Sequence, residues 1–185
     1  MFLDFILFSF IVAFLRGGRV REIPIFQKLY FLAASILLQL TSVFLHQWAS
    51  VLVSIAYLCV LLFFVSNREN EDIRIFLIGW LMNAVVIWAN WGRMPVDLDQ
   101  ARKTGLPLDR LIQGTDYKHS ILTDSTHLPF LADIIYMPFP IPRVISIGDI
   151  FIMLGAFLLI QRLMNKPISL IQLREGKNYG AATKG

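Results

Sequence analysis

Apolar positions gather into five runs separated by clusters of charge: residues 1–15, 29–45, 48–66, 75–89 and 144–160. A helix crossing a bilayer needs about 20 mainly apolar residues, with a usual range of about 17 to 25. The first and fourth runs are short by that measure. Both gain length from their flanks, since Arg16 can snorkel from the first and Asn90 and Trp91 carry the fourth into the headgroup region. The pattern predicts an all-α polytopic membrane protein with five transmembrane helices and a structured extracytoplasmic loop before the last helix. Residues 1–160 read as one membrane domain containing that loop at 91–143, and 161–185 as a basic cytoplasmic tail.

Polar residues inside an apolar run mark the face turned away from lipid. In the second run Ser35, Gln39, Ser42 and His46 fall at i, i+4, i+7 and i+11, one side of a helix. Gly79, Asn83 and Asn90 follow the same rule in the fourth. Gly148 and Gly155 stand one heptad apart in the last, small enough to admit a neighbouring backbone. Tyr57 and Cys59 read as packing residues, and no charge sits in the middle of a run, which argues against an ion or proton pathway.

Composition supports the same picture. The chain has 185 residues, 56% hydrophobic and 16% charged, where an ordinary soluble domain carries about a quarter charged residues. Mean hydropathy is +0.63, far from that of a disordered chain. Lone Cys59 excludes an intramolecular disulfide and the zinc motifs that need two or more cysteines.

Charge then orients the spans. A secretory signal would place its positive residues before the apolar stretch; here Asp4 comes early and Arg16, Arg19 and Arg21 follow, so the first run reads as a retained helix. Of the 17 Lys and Arg residues, eleven flank one set of run ends and six, Arg93, Arg102, Lys103, Arg110, Lys118 and Arg143, lie on the other. The bias puts the N-terminus outside and the C-terminus in the cytoplasm, which with the composition implies a multi-pass membrane protein. The net charge of +4 sits beside apolar runs, where it attracts anionic headgroups, and forms no basic stripe for nucleic acid. Membrane lipids are the expected partners, a membrane protein is a further candidate, and nucleic acid is not expected.

The candidate chemistry lies on the long loop and at the start of the last run. The loop holds Asp97, Asp99, Asp109, Asp116, His119, Asp124, His127 and Asp133, and its second half is apolar enough to settle on the bilayer surface. Pro95, Pro107, Pro129, Pro138, Pro140 and Pro142 prevent one long helix there. Ser146-Ile147-Gly148-Asp149 reads as a Ser-x-x-Asp helix start, reason enough for Asp149 to be present. An acid at that edge can also share a proton with a second carboxylate, so that one serves as base and the other as acid on an attacking water. Asp124 and Asp133 are the candidates for the second. His119, His127, Asp124 and Asn90 are the candidate binding residues. A metal site on His119, Asp124, His127 and Asp133 is a further option, but the histidines stand eight positions apart, which matches no compact motif; neither metal nor cofactor is expected. No Gly-x-Ser-x-Gly elbow accompanies Ser120 or Ser125, and no Gly-rich phosphate loop occurs.

The segment Leu122-Thr123-Asp124 through Leu131-Ala132-Asp133-Ile134-Ile135, followed by Ile147-Gly148-Asp149 and Gly155, resembles the carboxy-terminal half of signal peptidase II. The resemblance implies an aspartate-dependent membrane hydrolase with Asp133 and Asp149 as the water-activating pair and Asp124 in support. Ser125 and Ser146 depart from the Arg and Asn of that family. Over nearly its full length the chain also resembles an uncharacterised family of small bacterial membrane proteins, through Gly92-Arg93-Met94-Pro95-Val96, Lys118-His119, residues 126–133 and Ser146-Ile147-Gly148-Asp149. Two functions follow as expectations: a scaffold or accessory subunit that presents the loop to a partner or lipid and, as the alternative, a signal peptidase II-like hydrolase.

Overall fold

A computed structural model describes residues 3–20, 25–116 and 118–170. The greater part of the expected tail, residues 171–185, lies outside the described residues. Five long helices occupy the five apolar runs: α1 (Leu3–Leu15), α2 (Tyr30–Phe44), α3 (Ala49–Ser66), α4 (Glu71–Ala89) and, after two short helices, α7 (Ile147–Leu163). The chain is mostly helical, as expected, but it is not all-α, since four short strands occur among the described residues, and the count of five spans does not carry over. Among the described helices, α4, with 19 residues, is the one long and apolar enough to cross a membrane; α1, α2 and the Val51–Ser66 part of α3 are apolar but shorter. The reason is where each helix stops. Gly17, at φ +76, turns the chain at the end of the 13-residue α1, which at about 1.5 Å per residue reaches only about 20 Å.

Helices α4 and α7 form the tightest pair, and glycine is what permits it. A Cβ at Gly148 would overlap the Asn83 Oδ1 atom and the Gly79 carbonyl oxygen, and one at Gly155 would lie 2.7 Å from the Phe76 nitrogen. Gly79 in turn faces the Gly148 carbonyl. The heptad glycines thus admit a neighbouring backbone as their spacing predicts. At the far end of the pair Arg162 Nε donates to Asp72 Oδ2 at 2.8 Å, with Asn70 Oδ1 taking a second guanidinium N–H. Helix α1 lies along α7 through Ala13, Ile160 and Met164, and buried Gln161 donates to the Ser9 carbonyl at 3.0 Å.

Helices α2 and α3 form a hairpin joined to α4 by an aromatic cluster of Phe63, Phe64 and Ile73 with Phe26, Phe76 and Trp80. The α2 polar row is not a shared inward face. Ser35 is buried, but its hydroxyl donates to Leu32 of its own helix; Ser42 does the same to Gln39, and Gln39 itself is exposed. The side chain of His46 lies outside those described. No other described residues cover wide apolar faces of α1, α2 and α3, with Leu7, Phe14, Leu37, Phe44, Leu58 and Leu62 among those exposed.

The loop between α4 and α7 folds into a cap. Strand β1 (Met94–Val96) pairs in parallel with β2 (His119–Ile121), and β3 (Ile135–Met137) pairs antiparallel with β4 (Arg143–Ile145). Two short helices, α5 (Leu98–Arg102) and α6 (Asp109–Ile112), close a small core of Val96, Ala101 and Leu111. Asp97 caps α5 by accepting the Asp99 and Gln100 amides. The cap rests on α4 through β1 and on α4 and α7 through a 3-10 turn at Pro129–Leu131. The ion pair of Asp4 with Arg143 ties it to the start of α1.

Candidate functional site

The site grows from the first turn of α7. Ser146 is the N-cap: its hydroxyl accepts the Asp149 amide at 3.0 Å, and Asp149 Oδ2 accepts the Ser146 amide at 3.1 Å, a complete capping box. Both residues are buried. Because glycine brings α4 close, Asn83 reaches the same knot. Its Nδ2 donates to Asp149 Oδ1 at 2.8 Å, and its Oδ1 accepts the Ser146 hydroxyl at 2.8 Å. Both oxygens of Asp149 therefore act as acceptors.

Asp133 comes to this place from the cap. Its amide donates to the Pro95 carbonyl and its carbonyl accepts the Asp97 amide, both at 2.9 Å, which makes a parallel bridge to Val96. The backbone is held on both sides and the side chain is left over. It is 5% exposed, and its Oδ1 is buried with no hydrogen-bond partner among the described residues. Burial, and after it the negative charge of Asp149, push the Asp133 carboxyl up to about 8, because taking a carboxylate out of water without donors favours its neutral form.

Asn90 supports Asp133 from the end of α4. Its Nδ2 donates to the His127 carbonyl at 2.8 Å and its Oδ1 accepts the His127 amide at 3.0 Å. This main-chain clamp fixes the segment that runs through the turn at Pro129–Leu131 to Asp133. Of the polar row on α4, Gly79 and Asn83 face α7 and Asn90 faces the cap. Sequence reasoning placed Asn83 on that inward face but not in the site, since only the partner helix reveals that it meets Asp149.

The other candidates are dispersed. Asp124 is exposed in a turn closed by Thr123 N–H donating to Thr126 Oγ1 at 2.9 Å. His127 is exposed and bound through its main chain. His119 pairs its Nδ1 with Asp116 Oδ2 at 3.2 Å. Burial acts to raise the Asp116 carboxyl, but the Lys118 and His119 amides and the His119 ring outweigh it and hold the pKa below the usual range. His119, Asp124, His127 and Asp133 do not converge: among the described residues no group of three or more His, Cys, Asp or Glu side chains is placed to hold a metal ion.

Residues 22–161 match a family described as a family of unknown function. A protein of Thermotoga maritima, described as an uncharacterized protein, is 29% identical over 161 residues, covering 85% of this chain and 89% of its own length. No solved structure matches. The findings agree with the expected uncharacterised family; none of them carries the likeness to signal peptidase II.

Proposed function

Because the chain belongs to DUF5317, a family of unknown function, its kinship supplies no activity, and we propose from the geometry that it is an aspartate-dependent hydrolase working at a membrane surface. Asp133, held neutral by burial, serves as the acid, and Asp149 serves as the base. The observation that carries this reading is the buried Asp133 Oδ1 without a partner beside a carboxylate whose two oxygens are both engaged. A scaffold that only presented the loop would leave this oxygen unexplained, since an unsatisfied buried polar atom costs about 1–3 kcal/mol.

The chemistry follows from the two environments. Asp149, the carboxylate, takes a proton from a water whose oxygen adds to an acyl carbon. Neutral Asp133 gives its proton to the leaving group as the bond to that group breaks. A proton passing from Asp149 back to Asp133 restores the pair. Asn83 and Ser146 orient Asp149, and Asn90 positions the segment bearing Asp133; neither Asp124 nor His119 has a part. The likeness to signal peptidase II rests on the same two acids in the same order.

Membrane placement belongs to the proposal. It is supported by α4, by the apolar faces of α1 to α3 that no other part of the described chain covers, and by the excess of basic residues on one set of helix ends. On this reading the protein lies in the bacterial cytoplasmic membrane with its N-terminus and cap outside, and shorter helices are accommodated by local thinning of the bilayer.

The test uses membranes holding wild-type, Asp133→Asn or Asp149→Asn protein, incubated in heavy-oxygen water and searched by mass spectrometry for products that gained the label. Removing a general acid or base lowers rates about 10²–10⁴-fold, so labelled products should appear with the wild type alone. Equal labelling in all three, with each variant folded, would mean that the acids are structural.

A further inference from the structure

Beside Asn90 the cap opens into a cleft of about 540 Å³ that the hydrolytic chemistry does not use. Arg93, Ser120, Thr123, Ser125, Thr126 and His127 line it, with Trp91 at the same opening. We propose that this cleft binds a phosphate group, with Arg93 as its principal ligand.

The lining argues for an anion. Among the described residues Arg93 forms no ion pair, and a single long hydrogen bond to the Gly114 carbonyl at 3.3 Å accounts for one of its five guanidinium N–H groups. Four hydroxyls and an imidazole line the same cleft. Asp124, between Thr123 and Ser125 in sequence, is not among the lining residues, so no carboxylate competes for the guanidinium there. The hydroxyls of Thr123 and Ser125 hydrogen-bond each other at 2.9 Å, which holds them together at the wall. A guanidinium with clustered hydroxyls satisfies the oxygens of a phosphate by charge-assisted bonds.

Trp91 adds a second, independent feature. It is 95% exposed and held at φ +61, a conformation a bulky side chain avoids, directly before Gly92 at φ +82. The turn puts an indole into the open at the end of the longest apolar helix, where tryptophan suits the headgroup level of a bilayer. A phosphate in the cleft can thus come from a lipid headgroup or from a soluble phosphate ester. The inference does not rest on Asp133 and Asp149.

The experiment titrates the purified full-length protein in neutral detergent with three probes: a short-chain phosphatidate, the diacylglycerol with the same chains, and glycerol phosphate. Binding is read by native mass spectrometry and by tryptophan fluorescence. Phosphatidate binding at least ten-fold tighter than diacylglycerol, lost at least ten-fold in Arg93→Gln, supports the site and assigns it to a lipid. Glycerol phosphate binding as tightly as phosphatidate, with the same loss, supports the site with a soluble ligand. Equal binding of phosphatidate and diacylglycerol, or binding by folded Arg93→Gln that matches the wild type, overturns it. Should Arg93→Gln fail to fold, Ser120→Ala with Ser125→Ala takes its place: a loss of at least three-fold is expected, and unchanged affinity refutes the proposal.

Discussion

Replacing Asp133 by Asn should make the protein more stable at alkaline pH and leave it unchanged at acid pH. The carboxyl rises from its ordinary 3.8 to about 8 in the folded chain, so the folded state holds this proton more tightly than the unfolded one. Its contribution is fully present below 3.8, is lost as pH climbs from there to about 8, and changes no further above. A gap of roughly four pK units, at 1.36 kcal/mol each, sets a ceiling of about 6 kcal/mol on that loss. Water entry and relaxation around the charge reduce it, and a net effect on the order of 2–4 kcal/mol is expected. Asparagine keeps the shape and never ionises, so it escapes the loss altogether. For a chain of this size that corresponds to a melting temperature higher by roughly 5–15 °C near pH 9, shrinking toward zero near pH 4. The measurement is thermal unfolding of both proteins in one detergent across that range. A melting difference that does not vary with pH would refute the reasoning, because it would mean that Asp133 does not carry its proton in the folded state.

Gly148→Ala places a methyl against Asn83 Oδ1 and the Gly79 carbonyl, and the forced separation of α4 from α7 should destabilise by about 1–3 kcal/mol, read as a lower melting temperature. Asn90→Ala removes both bonds to the His127 main chain at a cost of about 1–3 kcal/mol; hydrogen exchange should accelerate over residues 126–131 while α4 itself stays protected. Asp72→Asn leaves Arg162 without its carboxylate, at the buried end of an ion pair where Asp72 is only 5% exposed. Breaking such a pair from one side costs about 3–5 kcal/mol, so this variant should lose more stability than Asn90→Ala in the same melting assay.

The parts of the fold that were legible in the sequence are those that depend on helical periodicity. Gly79, Asn83 and Asn90 share a face in the sequence and do so in the structure, and the Ser-x-x-Asp signature becomes a capping box at Ser146 and Asp149. The same reasoning failed on α2, because a serine in a helix can satisfy itself on its own backbone, as Ser35 and Ser42 do. Spacing alone cannot tell such a residue from one that needs a neighbour. Counting apolar residues also misplaces helix starts, since it begins the fourth run at Ile75 where α4 begins four residues earlier, in the charged turn at Glu71. The cap strands are three residues each, too short for alternation to be read. The choice of Asp133 over Asp124 was legible only through resemblance. What distinguishes them physically is burial without a donor, which depends on the Asp133 backbone being held between Pro95 and Asp97.

That tether has a consequence for how the family can diversify. The chain leaves the short ladder after Asp97 to build α5 and α6, returns at His119, leaves again after Ile121, and returns at Asp133. Each excursion starts and ends on main-chain hydrogen bonds, which form whatever the side chain, except where a proline would remove a needed N–H. Insertions and deletions in either one can reshape the outer surface for new targets while the buried acid keeps its address.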